Sequence, residues 1–232
     1  GVMSALLTGE EGEITMGNPD FLYFLYKLGM RMMTLTWNYE NSLGFPNVRL
    51  DKKSSASSDR YCLSQNKGLK EQGIVFLEEM ERLGMIIDVS HLSDAGFYDV
   101  LEHTTKPFVA SHSNARSVCP AVRNLTDDMV RRLAERGGIT GINFCKEFLG
   151  KPDVSQNYLD QAVVHMKYLM NLGGEDFVAL GSDFDGITRY HDLSDCSVMP
   201  KLVHTMKKAG LTPTQIEKIC YKNTLRVYRE LL

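Results

Sequence analysis

The chain has 232 residues, 43% of them hydrophobic, and a formal net charge of -3. This is an ordinary globular composition, and the length is close to the ~250 residues of a typical β/α barrel. A balance so near neutral gives no reason to expect nucleic acid or an anionic membrane as partner, and no apolar run approaches the roughly 18 residues a transmembrane helix needs.

Gly1 to Thr8 lacks the basic n-region of a signal peptide. It enters a strand at once, Ser4 to Thr8, and reads as the start of a fragment. Glu10 and Glu11 follow in a glycine-flanked turn, a ligand loop or a solvated acidic turn. Asn18 or Asp20 caps a helix through Leu28, with Phe21, Leu22, Phe24, Leu25 and Leu28 at helical spacing. Arg31 to Trp37 is the second strand. Asn38 to Lys67 is a long polar loop, of a length that is usually functional. Trp37, Tyr39, Phe45 and Tyr61 could let it wall a pocket.

Leu69 to Leu83 is an amphipathic helix stopped by Gly84. The organising stretch comes next. Met85-Ile86-Ile87-Asp88-Val89-Ser90-His91 and Pro107-Phe108-Val109-Ala110-Ser111-His112 are short apolar strands, each closing on Ser-His. The residues between them suffice for one helix, capped by Ser93, with Ala95, Tyr98, Val100 and Leu101 on its apolar side. A strand, a helix and a strand in this order make a parallel βαβ unit. Arg116 and Arg123 lie in the loop that follows. Thr126 caps a helix to Arg136, Ile139 to Phe144 is a strand, and Asp153 or Ser155 opens a helix to Leu172. Phe177 to Asp183 is the last strand. Helices follow near Met199 to Lys208 and behind the Thr212-Pro213 cap.

About six strands alternate with helices and no hairpin signal intervenes. That pattern favours a parallel barrel or an open doubly wound sheet, and the missing glycine-rich nucleotide motifs favour the barrel. One barrel domain over residues 1–232 is expected. Carboxyl ends of strands carry the chemistry of such folds. Here they supply the Glu10/Glu11 pair, His91, His112 and Asp183. Either histidine alone reads more readily as a structural residue than as a ligand. Two in the same register, on strands about 4.8 Å apart, point to a shared metal, and the oxygen and nitrogen donors suit zinc or, less selectively, manganese or cobalt. The chemistry implied is metal-assisted hydrolysis. Arg123 could hold a substrate carboxylate or be a surface arginine. Five widely spaced cysteines without a Cys-x-x-Cys pair argue for a reducing compartment, the cytoplasm.

Three blocks, Asp88-Val89-Ser90-His91, Ser111-His112-Ser113 followed by Ser117-Val118-Cys119 and Arg123-Asn124, and Gly181-Ser182-Asp183-Phe184-Asp185-Gly186, resemble the membrane dipeptidase (renal dipeptidase) family of zinc peptidases. Leu35-Thr36-Trp37-Asn38-Tyr39 looks like its bacterial members. The resemblance covers essentially the whole chain. It implies a TIM-type (β/α)8 barrel of the amidohydrolase kind with about six of its eight β/α units present, and hydrolysis of dipeptides. A hydroxide bridging two Zn2+ ions would attack the scissile carbonyl. By this resemblance Glu11, preferred over Glu10 because a glycine follows it, matches the bridging carboxylate. His91 and His112 match ligands of the second zinc, Asp183 the aspartate that handles the proton, and Arg123 the arginine that holds the terminal carboxylate.

Two departures stand out. The family's first strand ends in His-x-Asp, ligands of the first zinc, and no His-x-Asp occurs in this sequence. The first two β/α units are therefore expected to precede Gly1. Trp37 stands where mammalian members have a substrate-binding histidine. The competing reading is a catalytically inactive truncated barrel, a binding or assembly subunit whose open edges invite a homo-oligomer.

Overall fold

The structure is a computed structural model that describes residues 4–49, 62–63, 67–154, 156–188 and 192–232. Its elements in chain order are β1 (Leu7–Glu10), a 3-10 turn (Gly12–Thr15), α1 (Pro19–Lys27), β2 (Met30–Thr34), β3 (Val48–Arg49), β4 (Cys62–Leu63), α2 (Glu71–Leu83), β5 (Ile86–Asp88), α3 (Asp94–His103), β6 (Val109–Ala110), α4 (Asp127–Glu135), β7 (Ile139–Asn143), α5 (Lys146–Leu149), α6 (Tyr158–Gly173), β8 (Val178–Ser182), α7 (Met199–Lys208), α8 (Pro213–Glu217), a π-turn (Lys218–Lys222) and α9 (Asn223–Leu231). Strands β1, β2, β5 and β6 lie side by side in that order and β7 pairs with β8, all of these pairs parallel. These are the six strands expected, β3 and β4 are further ones, and the α/β class holds.

The chain forms two compact units, Gly1–Val109 with Tyr228–Leu232, and Ala110–Val227. In the first, Met33, Ile86 and Phe108 are buried with Phe76, Leu77 and Met80 of α2. These three α2 residues sit at positions i, i+1 and i+4, one stripe of the helix. Phe97 of α3 meets Phe108 edge-on at 5.6 Å between ring centroids. On α3 the buried residues are Gly96, Phe97 and Val100, whereas Tyr98 is exposed. Both stripes fit a helical period; Phe97 takes the inner one, and exposed Tyr98 packs edge-on against it at 5.4 Å.

In the second unit, Ile142 and Phe144 near the end of β7 and Phe177 and Val178 at the start of β8 are buried with Leu169 of α6 and Leu202 and Met206 of α7. The α6 cap is Asn157, not Asp153; Ser155, the other residue expected there, lies outside the described residues. Asn157 and Asp160 form a reciprocal capping box, which binds two backbone donors and so fixes the start. The four-residue helix α5 was not expected. It is too short to show a period.

Strand ends shift by a few residues from the expected bounds. β1 runs on to Glu10, and β2 stops at Thr34. Within the loop expected from Asn38 to Lys67, β3 and β4 pair antiparallel, and Asn41, Leu43, Gly44, Pro46 and Asn47 are buried. Residues 50–61 and 64–66, Tyr61 among them, lie outside the described residues.

Candidate metal centre

Parallel register sets the row from which the first unit's polar groups project. Glu10 is opposite Thr34, and Thr34 is opposite Asp88, so three strands end level. Asp88 is buried; its Oδ2 accepts from Thr34 Oγ1 at 2.6 Å and its Oδ1 from the Ser90 N–H at 3.0 Å. Both bonds hold the turn that leads to His91. His91 adopts φ +71, left-handed geometry that few non-glycine residues take and that clusters at functional sites. Its carbonyl accepts from the Asn47 N–H at 2.7 Å.

The His91 ring is held at both nitrogens. Nδ1 lies 3.0 Å from Asn38 Oδ1. An amide oxygen only accepts, so in this orientation Nδ1 carries the proton. Nε2 then turns its lone pair towards Glu10 Oε1, 3.1 Å away. A lone pair against a carboxylate is favourable only with a proton or a cation between them. Zinc bonds of about 2.0–2.2 Å put tetrahedral donors roughly 3–3.5 Å apart, and this pair has that spacing. The residues present fit a divalent cation. Trp37 flanks His91, with ring centroids 6.4 Å apart, and Tyr39 lies 5.7 Å from Trp37. Both aromatic rings are exposed, as a pocket wall requires.

Of the two neighbouring carboxylates, Glu10 faces His91. Glu11, which the sequence favours, has φ +115 and gives its Oε1 to Asn41 Nδ2 at 2.8 Å. β1 ends at Glu10, and the positive φ of Glu11 turns its side chain to Asn41 instead.

In the second unit, His112 is buried and its Nδ1 lies 2.7 Å from Ser111 Oγ. With Nδ1 so engaged, Nε2 is the nitrogen a metal would take. Asp183 follows β8 with φ +70 and is reached by Asn143 Nδ2, which donates to its Oδ2 at 3.0 Å. Burial pushes the Asp183 carboxyl above the usual carboxylate range, while the Asn143 hydrogen bond and the Arg123 charge pull it back. Arg123 is buried, its guanidinium 5.3 Å over the Phe148 ring. It is no surface arginine, which closes the alternative the sequence left open.

Asn38, Ser111 and Asn143 did not stand out in the sequence as functional. Asn143 closes its strand as His91 and His112 follow theirs, and the rule of strand carboxyl ends would have found it. Asn38 directly follows the Trp37 that the motif singles out.

The sequence model of the family described as Membrane dipeptidase (Peptidase family M19) matches residues 1–231. An uncharacterized protein in the pqqA 5′ region of Klebsiella pneumoniae is 38% identical over 213 residues, 90% of this chain and 75% of that protein. Dipeptidase tcpJ of Claviceps purpurea is 34% identical over 229 residues, 98% of this chain and 51% of that protein. Among solved structures, a metallo peptidase from Rhodobacter sphaeroides liganded with a phosphinate mimic of the dipeptide L-Ala-D-Ala superposes with a TM-score of 0.84 at 29% identity. The match covers 98% of this chain and 63% of that one. The chain thus spans about half the length of its fungal relative and under two thirds of the solved metallopeptidase. Its fold is part of a TIM-type barrel.

Proposed function

The chain belongs to the membrane dipeptidase family of metallopeptidases, and from that membership we propose that it contributes the second metal site and the substrate-binding residues of a zinc-dependent dipeptidase. The observation that carries the reading is the contact of Glu10 Oε1 with the Nε2 of His91, whose Nδ1 is occupied by Asn38. Glu10 and His91 would hold the metal, with Glu10 taking the bridging role that the family resemblance gives to Glu11, and the same resemblance makes His112 a further ligand. The metal would supply a Lewis acid and a water acidic enough to attack at neutral pH. Arg123 would bind the terminal carboxylate of the dipeptide with its two-pronged donor set. Asp183 would carry the proton to the leaving amine; its raised affinity for a proton suits that work.

Four cysteines, Cys119, Cys145, Cys196 and Cys220, are free thiols, which supports a reducing, cytoplasmic setting. Among the described residues no helix is long and apolar enough to cross a membrane.

A second reading, metal binding without turnover, is favoured by the lack of a His-x-Asp pair in the given sequence. The test is hydrolysis of L-Ala-D-Ala with zinc supplied, on the wild-type chain and on His91→Ala. Zinc-dependent release of alanine that the variant loses supports the dipeptidase reading. Zinc binding with no turnover supports the second, and turnover that survives both chelation and His91→Ala contradicts both.

A further inference from the structure

We propose that Asn143 and Gly186 are positioning residues that clamp the carboxylate of Asp183, one by a hydrogen bond and the other by leaving room. The inference rests on the proton-carrying role proposed for Asp183.

The clamp is built from Asn143 outward. This residue ends β7 and is fully buried. Its Oδ1 accepts from the Cys145 N–H at 2.7 Å. That bond settles which end of the amide is oxygen, so the other end must be the donor. Nδ2 donates to Asp183 Oδ2 at 3.0 Å and to the His112 carbonyl at 3.4 Å. The backbone of Asn143 is held as well, because Asn114 Oδ1 accepts from its N–H at 2.9 Å and Asn114 Nδ2 donates to its C=O at 3.0 Å. A side chain that merely closed a strand would need only the Cys145 bond. This one is locked with its donor end aimed at a carboxylate.

The partner strand brings Asp183 to that donor by a bulge. Ile142 pairs with Leu180 but Asn143 pairs with Ser182, so β8 carries one extra residue, Gly181. Bulges re-aim side chains and sit next to active sites. Ser182 and Asp183 then take φ +41 and +70, strain that the chain keeps at this point. The second jaw is Gly186. Its N–H donates to the Asp183 carbonyl at 3.1 Å, and a Cβ at Gly186 would lie 2.2 Å from Asp183 Oδ1. One carboxylate oxygen is therefore held by Asn143, and the other occupies space that only glycine leaves.

The experiment is a mutant cycle on the full chain, stripped of metal by chelation and repeated with zinc. N143D keeps the acceptor for Cys145 and replaces the donor facing Asp183 with an oxygen. Two carboxylates in contact cannot both ionise freely. N143D is expected to lower the thermal midpoint at pH 7 and to raise the Asp183 titration midpoint, read by carboxyl carbon NMR, by at least one pH unit. N143D/D183N restores an amide–carboxylate pair with the roles exchanged and should recover most of the lost midpoint. G186A should move the Asp183 carboxyl resonance while leaving Asn143 intact.

A double variant no more stable than N143D, including the case in which both fail to fold, overturns the clamp. So does an Asp183 titration that neither N143D nor G186A moves. None of these readouts needs turnover. D183N that still hydrolyses dipeptide overturns the proton role and not the clamp, so the two failures are distinguishable.

Discussion

His165 on α6 gives the sharpest quantitative test of the packing. It is fully buried; its Nδ1 accepts from the Ala115 N–H at 3.2 Å, and its Nε2 donates to the Leu149 carbonyl at 2.9 Å. Protonation would set an N–H at Nδ1 against the Ala115 N–H. Burial lowers the pKa from 6.5 to about 4, opposed by the bond to Leu149. Between those values the unfolded chain binds the proton and the folded chain does not, so stability is complete above about 6.5 and falls as the pH drops towards 4. At pH 5 protonation of the unfolded chain shifts the folding equilibrium by a factor of about 30, which costs about 2 kcal/mol, and the full loss approaches about 3 kcal/mol. His165→Gln can keep an acceptor and a donor but does not titrate. It is expected to be about 1 kcal/mol less stable than wild type at pH 7 and equally or more stable at pH 5. Urea unfolding at both pH values reads the difference, and carboxylates common to both proteins cancel. Parallel stability profiles for the two proteins would refute the buried neutral imidazole.

Other substitutions probe separate parts. Asn38→Leu removes the partner of His91 Nδ1 and should weaken zinc binding about tenfold or more, measured by competition with a chromophoric chelator. Arg123→Lys keeps the charge but loses the planar fork; in the active protein it should raise KM for dipeptides about tenfold with a smaller change in kcat. Gly181→Ala would place a Cβ 2.3 Å from the Ser111 carbonyl oxygen and should destabilise by roughly 1–3 kcal/mol, seen as a lower urea midpoint. Leu77→Ala, in the first unit's core, should cost about 2–5 kcal/mol without changing zinc affinity.

Strands with one repeating logic were legible from the chain alone. The two apolar segments closing on Ser90-His91 and Ser111-His112 predicted βαβ order, and the caps Ser93, Thr126 and Thr212 each bind a backbone donor as expected. Less legible was anything decided by side-chain direction at a bend. The choice between Glu10 and Glu11 turns on where β1 ends, two residues beyond the expected boundary, and on the positive φ of Glu11. Motif spacing holds no record of either. Asn143 lay within reach of the rule of strand carboxyl ends, but which group its amide meets depends on the bulge opposite it, a feature of pairing between strands far apart in sequence. For Arg123 the sequence left a carboxylate binder and a surface arginine equally open, since its burial comes from tertiary packing around Phe148.

The central claim is that strand ends carry a metal site, to which the Glu10–His91 contact assigns two ligands and the family resemblance a third, His112. Zinc content per chain after equilibrium dialysis, determined by elemental analysis on wild type, Glu10→Gln, Glu11→Gln, His91→Ala and His112→Ala, tests it most directly. The account predicts bound zinc in wild type and Glu11→Gln, and its loss in the other three. Equal zinc in all five, or loss in Glu11→Gln with retention in Glu10→Gln, would contradict it.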